Sequence, residues 1–369
     1  MGIRPAGPVI EGSSPARRHS DGGCQTIGSA LDPANAPPRL SCLLASAPFA
    51  DGVRSVSFRH HAEGFYDYAV AIPARNEIAL LPRALAALGR TMDACRSQRG
   101  VVVLVVNDSD DGSADLFGRW AETRNAAFAL AEIGFNNAIR DAPHARRFAM
   151  DIAAQFTPHG AILTTDADSH VGPNWIEAFQ NGLKAGYDLL CEDVRLDETE
   201  LGRLPDSVRA VGALERRYFE LCEELWQRWT GRGPFAVRAS GASMAIRTPV
   251  YHSLGGLPTP RVGEDSALAV NAQKAEYRVF NCGDLGTRTS ARLHGRAAGG
   301  CGEALRQRAC EADPACDGSL VPLSVLRSMA DEVTEGVELA PSSRAPMRAS
   351  EVRHQLQLAE RLLTPERAA

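Results

Sequence analysis

Six consecutive apolar residues, five of them valine, run from Val101 to Val106 and stop at Asn107-Asp108. Valine is stiff at χ1 and suits a pleated surface, so the run reads as a strand. A strand with no polar alternation needs cover on both faces. That is the condition of a central strand in a parallel sheet with helices above and below.

The flanking sequence supplies the other layers. Tyr68-Ala-Val-Ala-Ile72 is a short apolar run closed by Pro73, and Ala161-Ile-Leu163 is another that runs into Thr164-Thr165-Asp166. Between and after them, apolar residues recur at helical spacing: Leu81, Leu85, Leu88, Met92 and Cys95; then Phe148, Ile152 and Phe156. Further helices are expected at Trp175–Leu183, at Val208–Trp229, from Glu264 to Ala275, and through Val352–Leu363. Short strands are expected at Ser243–Ile246 and Tyr277–Phe280. Strand, helix, strand, helix, strand predicts the α/β class, an open, mostly parallel sheet with flanking helices and right-handed crossovers.

Charge narrows the function. Lys plus Arg number 40 against 45 Asp plus Glu, a net charge of −5, which excludes a nucleic-acid binder working by bulk positive charge. No apolar stretch approaches the roughly 18 residues of a membrane-spanning helix, and Met1–Pro5 lacks a signal-like apolar region. Nine cysteines without a Cys-x-x-Cys pair suit a reducing compartment. The expected location is cytoplasmic, with the inner membrane face the place for any peripheral docking. Three segments are expected: a Pro/Gly/Ser/Ala-rich flexible leader over 1–62, a catalytic domain over 63–310, and a C-terminal extension with short helices over 311–369.

In an open α/β sheet, ligands bind outside the carboxyl ends of the strands. Here those ends are polar: Pro73-Ala-Arg75-Asn76-Glu77, Asn107-Asp108-Ser-Asp-Asp-Gly112 and Asp166-Ala-Asp168. Asp at a strand end also serves as a helix cap or turn residue. Several carboxylates meeting in one crevice repel unless a cation offsets them, and a divalent metal would do so.

Four ordered motifs resemble the GT-A fold glycosyltransferases of family 2. They are Ala71-Ile-Pro-Ala-Arg-Asn-Glu77, Val105-Val-Asn-Asp-Ser-Asp-Asp-Gly-Ser113, Leu163-Thr-Thr-Asp-Ala-Asp-Ser169, and Ala239–Arg247 leading to Gly263-Glu264-Asp265. The resemblance spans Tyr66 to Leu305. It implies a GT-A fold and inverting sugar transfer from a nucleoside diphosphate sugar to an acceptor hydroxyl; the sequence leaves a glycan, lipid, small metabolite or protein acceptor open.

By that resemblance, Asp166 and Asp168 hold Mg²⁺ or Mn²⁺, with Asp168 the direct ligand and Asp166 facing the ribose or the metal's water shell. His294 is a candidate to complete the shell. Pro73, Arg75, Asn76, Glu77 and Asp108 surround the nucleotide. Arg146 and Arg147 precede the third strand, one of them reaching the diphosphate or base, and Arg147 is the candidate carried forward. Asp265 is the general base and Glu264 orients donor or acceptor. The basic segment Thr287–Arg296 offers arginines for the leaving diphosphate. Two other readings share this pattern: a nucleotidyltransferase, which would release pyrophosphate from a nucleoside triphosphate, and a non-catalytic sugar-nucleotide-binding protein.

Overall fold

The computed structural model describes residues 25–26, 38–236, 238–295, 299–334 and 345–364. Strands β1 (Gln25–Thr26), β2 (Val53–His61), β3 (Tyr68–Ala74), β4 (Gly100–Asn107), β5 (Phe128–Phe135), β6 (Ala161–Thr164), β7 (Leu189–Cys191), β9 (Met244–Arg247) and β10 (Val279–Asn281) form one sheet. Its order is β1-β2-β5-β4-β3-β6-β9-β7-β10, and a separate pair joins β8 (Arg195–Leu196) to β11 (Arg288–Thr289). The central block β5-β4-β3-β6 is parallel. β9 runs antiparallel between β6 and β7, and β2 lies antiparallel on β5. The α/β class and the mostly parallel open sheet are as expected.

The valine run shows why the sheet is covered twice. Val101, Val103 and Val105 enter one apolar cluster while Val102, Leu104 and Val106 enter another, all but fully buried. On the first face pack α1 (Pro38–Leu44), α4 (Ala142–Phe156), α8 (Thr248–Ser253) and α9 (Glu264–Lys274), with Leu40, Phe148, Ile152, Phe156, Tyr251 and Leu268 facing the strands. The second face carries α2 (Leu81–Ala94), α3 (Ser113–Arg124) and α5 (Trp175–Lys184), through Leu81, Leu85, Leu88, Phe117 and Trp175. Each large apolar side chain so buried contributes on the order of 2 kcal/mol.

One segment boundary differs from expectation. Within the expected leader, α1 and the whole of β2 belong to the fold, because the alternating face of β2 buries Val56 and Phe58 against β5. Apart from 25–26, residues 1–37 lie outside the described residues. At the other end, α7 (Asp206–Thr230), α11 (Leu323–Thr334) and α12 (Ala349–Leu363) share one apolar cluster that includes Tyr218, Leu225, Trp226, Leu326 and Val352. The C-terminal extension is thus packed on the long helix. Two short helices complete the chain, α6 (Glu198–Leu201) and α10 (Cys301–Cys310). Among the described residues every cysteine is free, and no helix is long and apolar enough to cross a membrane.

Where the third parallel strand turns toward α5, Gly172 lies against the returning backbone. A Cβ there would overlap the carbonyl oxygen of Leu285. Gly172→Ala is expected to cost about 2 kcal/mol through forced separation of these segments, read as a lower midpoint of urea unfolding.

Candidate active site

The carboxyl ends of β3, β4 and β6 open on one cleft of about 530 Å³, the crevice an open parallel sheet provides. It is closed by the start of α4, the loop before β9, the start of α9 and the segment after β11. Pro73, Arg75, Glu77, Asp166, Asp168, Glu264 and Asp265 all line it. These expected residues come from segments up to nearly 200 positions apart in sequence and meet because parallel strands point the same way.

Each acidic group is held by a specific partner. Glu77, buried, takes a bidentate hydrogen bond from Arg292, with Nη1 to Oε2 at 2.8 Å and Nη2 to Oε1 at 2.6 Å. The same Nη2 lies 2.8 Å from Asp168 Oδ2. Burial and then the charge of Asp166 push the Asp168 carboxyl up to about 6, against the pull of Arg292. Asp166 accepts from Arg146 Nη2 at 2.6 Å, and Glu264 accepts from Arg146 Nε at 3.1 Å. Asp265 accepts from the backbone N–H of Gly241 at 2.8 Å and from its neighbour Ser266 at 2.7 Å. Gly263, with φ 82°, turns the chain into α9 so that both acids fall in its first turn.

Four expected site residues are placed elsewhere. The Asp108 carboxylate turns away from the cleft to Arg54 at 2.6 Å and Arg140 at 3.4 Å, because Asp108 itself adopts φ 46°. Its neighbour Asn107, 4% exposed, lines the cleft instead. Asn76 stitches two strand-end loops: its Oδ1 accepts from Asp110 N–H and its own N–H donates to Ser109 Oγ. Arg147 points off the other side of α4, paired with Asp151 at 2.7 Å and donating to the Leu257 carbonyl. Arg146 is the arginine at the cleft. His294 is exposed and outside the cleft lining.

Among the described residues no group of three or more His, Cys, Asp or Glu side chains converges as a metal cage. Two carboxylates suit Mg²⁺ or Mn²⁺ when ligand phosphates and water supply the other oxygens. Burial comes first in raising the Asp168 carboxyl and the charge of neighbouring Asp166 second; a divalent cation beside the two would relieve that repulsion.

Sequence reasoning passed over Asn107, Thr289, Ser290 and Asp317, all of which line the cleft. Only Asn107 carried a signal, as the last residue of the valine strand. The β3–β4 register pairs Ala74 with Val106, so the next positions, Arg75 and Asn107, lie side by side at the cleft.

No known family's sequence model matches the chain, and no curated protein matches it in sequence. The solved structures to which it is similar include three that hold a sugar nucleotide. A mannosyltransferase from Pyrobaculum calidifontis, in complex with GDP-Man and Mn²⁺, is 18% identical, with 82% of this chain and 71% of that one covered at a TM-score of 0.46. S. aureus TarS (residues 1–349), in complex with UDP-GlcNAc, is 14% identical over 80% and 71% at a TM-score of 0.43. Glucosyl-3-phosphoglycerate synthase from Mycobacterium tuberculosis, with Mn²⁺, UDP-Glc and phosphoglyceric acid, is 14% identical over 75% and 81% at 0.38.

Removing Arg292 strands two carboxylates. Arg292→Met is expected to cost about 2 kcal/mol, the lower side of a broken buried pair because the guanidinium is partly exposed. Glu77→Gln should recover part of that loss in the double variant, measured as a coupling energy by chemical unfolding.

Proposed function

We propose that the chain is a glycosyltransferase of the GT-A type, moving a sugar from a nucleoside diphosphate sugar to an acceptor hydroxyl with inversion. The observation that carries this reading is the convergence of Glu77, Asp166, Asp168 and Asp265 on one cleft at the carboxyl edge of the parallel sheet.

Asp166 and Asp168 would hold Mg²⁺ or Mn²⁺, which when bound neutralises charge gathering on the leaving diphosphate. Arg292, already seated between Glu77 and Asp168, offers guanidinium hydrogen bonds to the same departing charge. Arg75 and Asn107 present donors and an amide carbonyl side by side at the ends of β3 and β4, suited to the edge of a nucleobase. Pro73 and Pro143 add apolar wall.

Asp265 is the general base. Two backbone N–H groups fix its carboxylate in the cleft and leave lone pairs for an acceptor hydroxyl. As the acceptor oxygen bonds to the anomeric carbon, its proton passes to Asp265. The bond from that carbon to the diphosphate oxygen breaks, and the electron pair leaves with the diphosphate. Attack from the face opposite the leaving group inverts the centre. Glu264, tied to Arg146, orients the reacting sugar.

Nucleoside diphosphates and their sugars, screened by thermal shift with Mn²⁺, should stabilise the wild type by about 2.7 kcal/mol at a hundredfold excess over Kd. Asp168→Ala should abolish the shift. A chain that neither binds nor hydrolyses any sugar nucleotide with Mn²⁺ would overturn the reading, and pyrophosphate release from a triphosphate would replace it with nucleotidyl transfer.

Asp265→Asn is expected to lower kcat by about a thousandfold while calorimetry shows nucleotide affinity unchanged. Asn107→Ala should weaken nucleotide binding about tenfold, whereas Asp108→Asn should leave binding intact and lower stability.

A further inference from the structure

The Arg146 guanidinium, 5% exposed, spends four of its N–H groups inside the protein. Nη2 donates to Asp166 Oδ1 at 2.6 Å and Nε to Glu264 Oε1 at 3.1 Å. Nη1 donates to Thr164 Oγ1 at 3.1 Å and to the Gly241 carbonyl at 2.7 Å. Gly241 in turn donates its own N–H to Asp265 Oδ2 at 2.8 Å. One planar group therefore touches the end of β6, the first acid of the Asp-x-Asp motif and the first acid of the acidic pair. Through the single residue Gly241 it also reaches the second acid of that pair.

Position 241 records how closely these parts fit. A Cβ on Gly241 would come within 2.5 Å of Arg146 Cζ and 2.7 Å of Nε. Only glycine lets the loop lie flat on the guanidinium. A lysine ammonium is a point charge without the fork needed to serve four acceptors at fixed angles. With its N–H groups so committed, Arg146 is fixed within the protein scaffold.

We infer that Arg146 is a positioning residue that couples the metal-binding carboxylate Asp166 to the acidic pair Glu264-Asp265, so that a change at either end is felt at the other. The roles at the two ends rest on the glycosyltransferase reading; the coupling itself is geometric. Were Asp166 drawn toward a cation, the guanidinium would keep Thr164, Glu264 and Gly241, and through Gly241 it would still bear on the base carboxylate.

Two measurements test this, one of them free of any ligand. Hydrogen exchange on the whole chain should show amides in 239–243 and 264–268 of Arg146→Lys exchanging about tenfold faster, with α7 and α12 protected as in the wild type. Unchanged exchange in those two stretches would overturn the coupling. Should Arg146→Lys fail to fold, Glu264→Gln carries the test. UDP and GDP lack the transferred sugar that Glu264 would orient, yet their affinity with Mn²⁺ should fall about threefold in Glu264→Gln. Where Arg146→Lys folds, the same change should be silent in its background. Unaltered affinity in Glu264→Gln would overturn the coupling. If neither diphosphate binds the wild type, the glycosyltransferase reading falls, and exchange of the same two stretches in Glu264→Gln decides the coupling.

Discussion

Acidic side chains from three separate parts of the chain share one crevice, and the guanidinium groups of Arg146 and Arg292 let them stay there. Unit charges about 4 Å apart repel by roughly 4 kcal/mol at an effective dielectric of 20. Arg146 reaches the cluster from beneath, on α4, and joins Asp166 to Glu264. Arg292 reaches it from the rim and joins Glu77 to Asp168. The two arginines differ in kind. Arg146 commits four of its five N–H groups to protein acceptors, while Arg292 is partly open to solvent and placed where a ligand's charge would compete for it.

Arg292 is brought back to the cleft by a second buried carboxylate. Glu192, 1% exposed, accepts from the backbone N–H groups of Leu285 and Thr287, from Thr287 Oγ1 and from Ser243 Oγ. Trp175 Nε1 donates to that same serine oxygen at 2.7 Å. A carboxylate with every donor in place tolerates burial and fixes the path of the chain. On the other side Glu200 holds Ser290 Oγ and the Ala291 N–H, and is itself paired with Arg83 of α2. The segment carrying Arg292 is therefore clamped at two points, by Glu192 before it and by Glu200 at Ser290 and Ala291.

Much of the site was legible because strand ends are punctuated in sequence. An apolar run followed at once by acids identifies both a strand and its functional end, and Glu77, Asp166 and Asp168 were found that way. What sequence could not give was the direction of a side chain at a turn. Asp108 looks the better nucleotide ligand by charge, yet its left-handed backbone sends it to Arg54, and neutral Asn107 takes the cleft. Arg146 and Arg147 are equivalent by composition; on a helix they lie about 100° apart, so only one can face the sheet's edge. β5 escaped notice because Glu132 and Gly134 interrupt an otherwise apolar stretch.

By itself the sequence determined the layers and their order, since the period of apolar residues is a local property that reports which face is buried. It also determined which acids stand at strand ends. The tertiary structure alone decided which of them share a cleft, which arginine compensates which carboxylate, and that α11 and α12 pack onto α7. Charge compensation acts between groups brought within a few ångströms by folding, from positions such as Glu77 and Arg292 that are 215 residues apart. No local pattern encodes such a meeting.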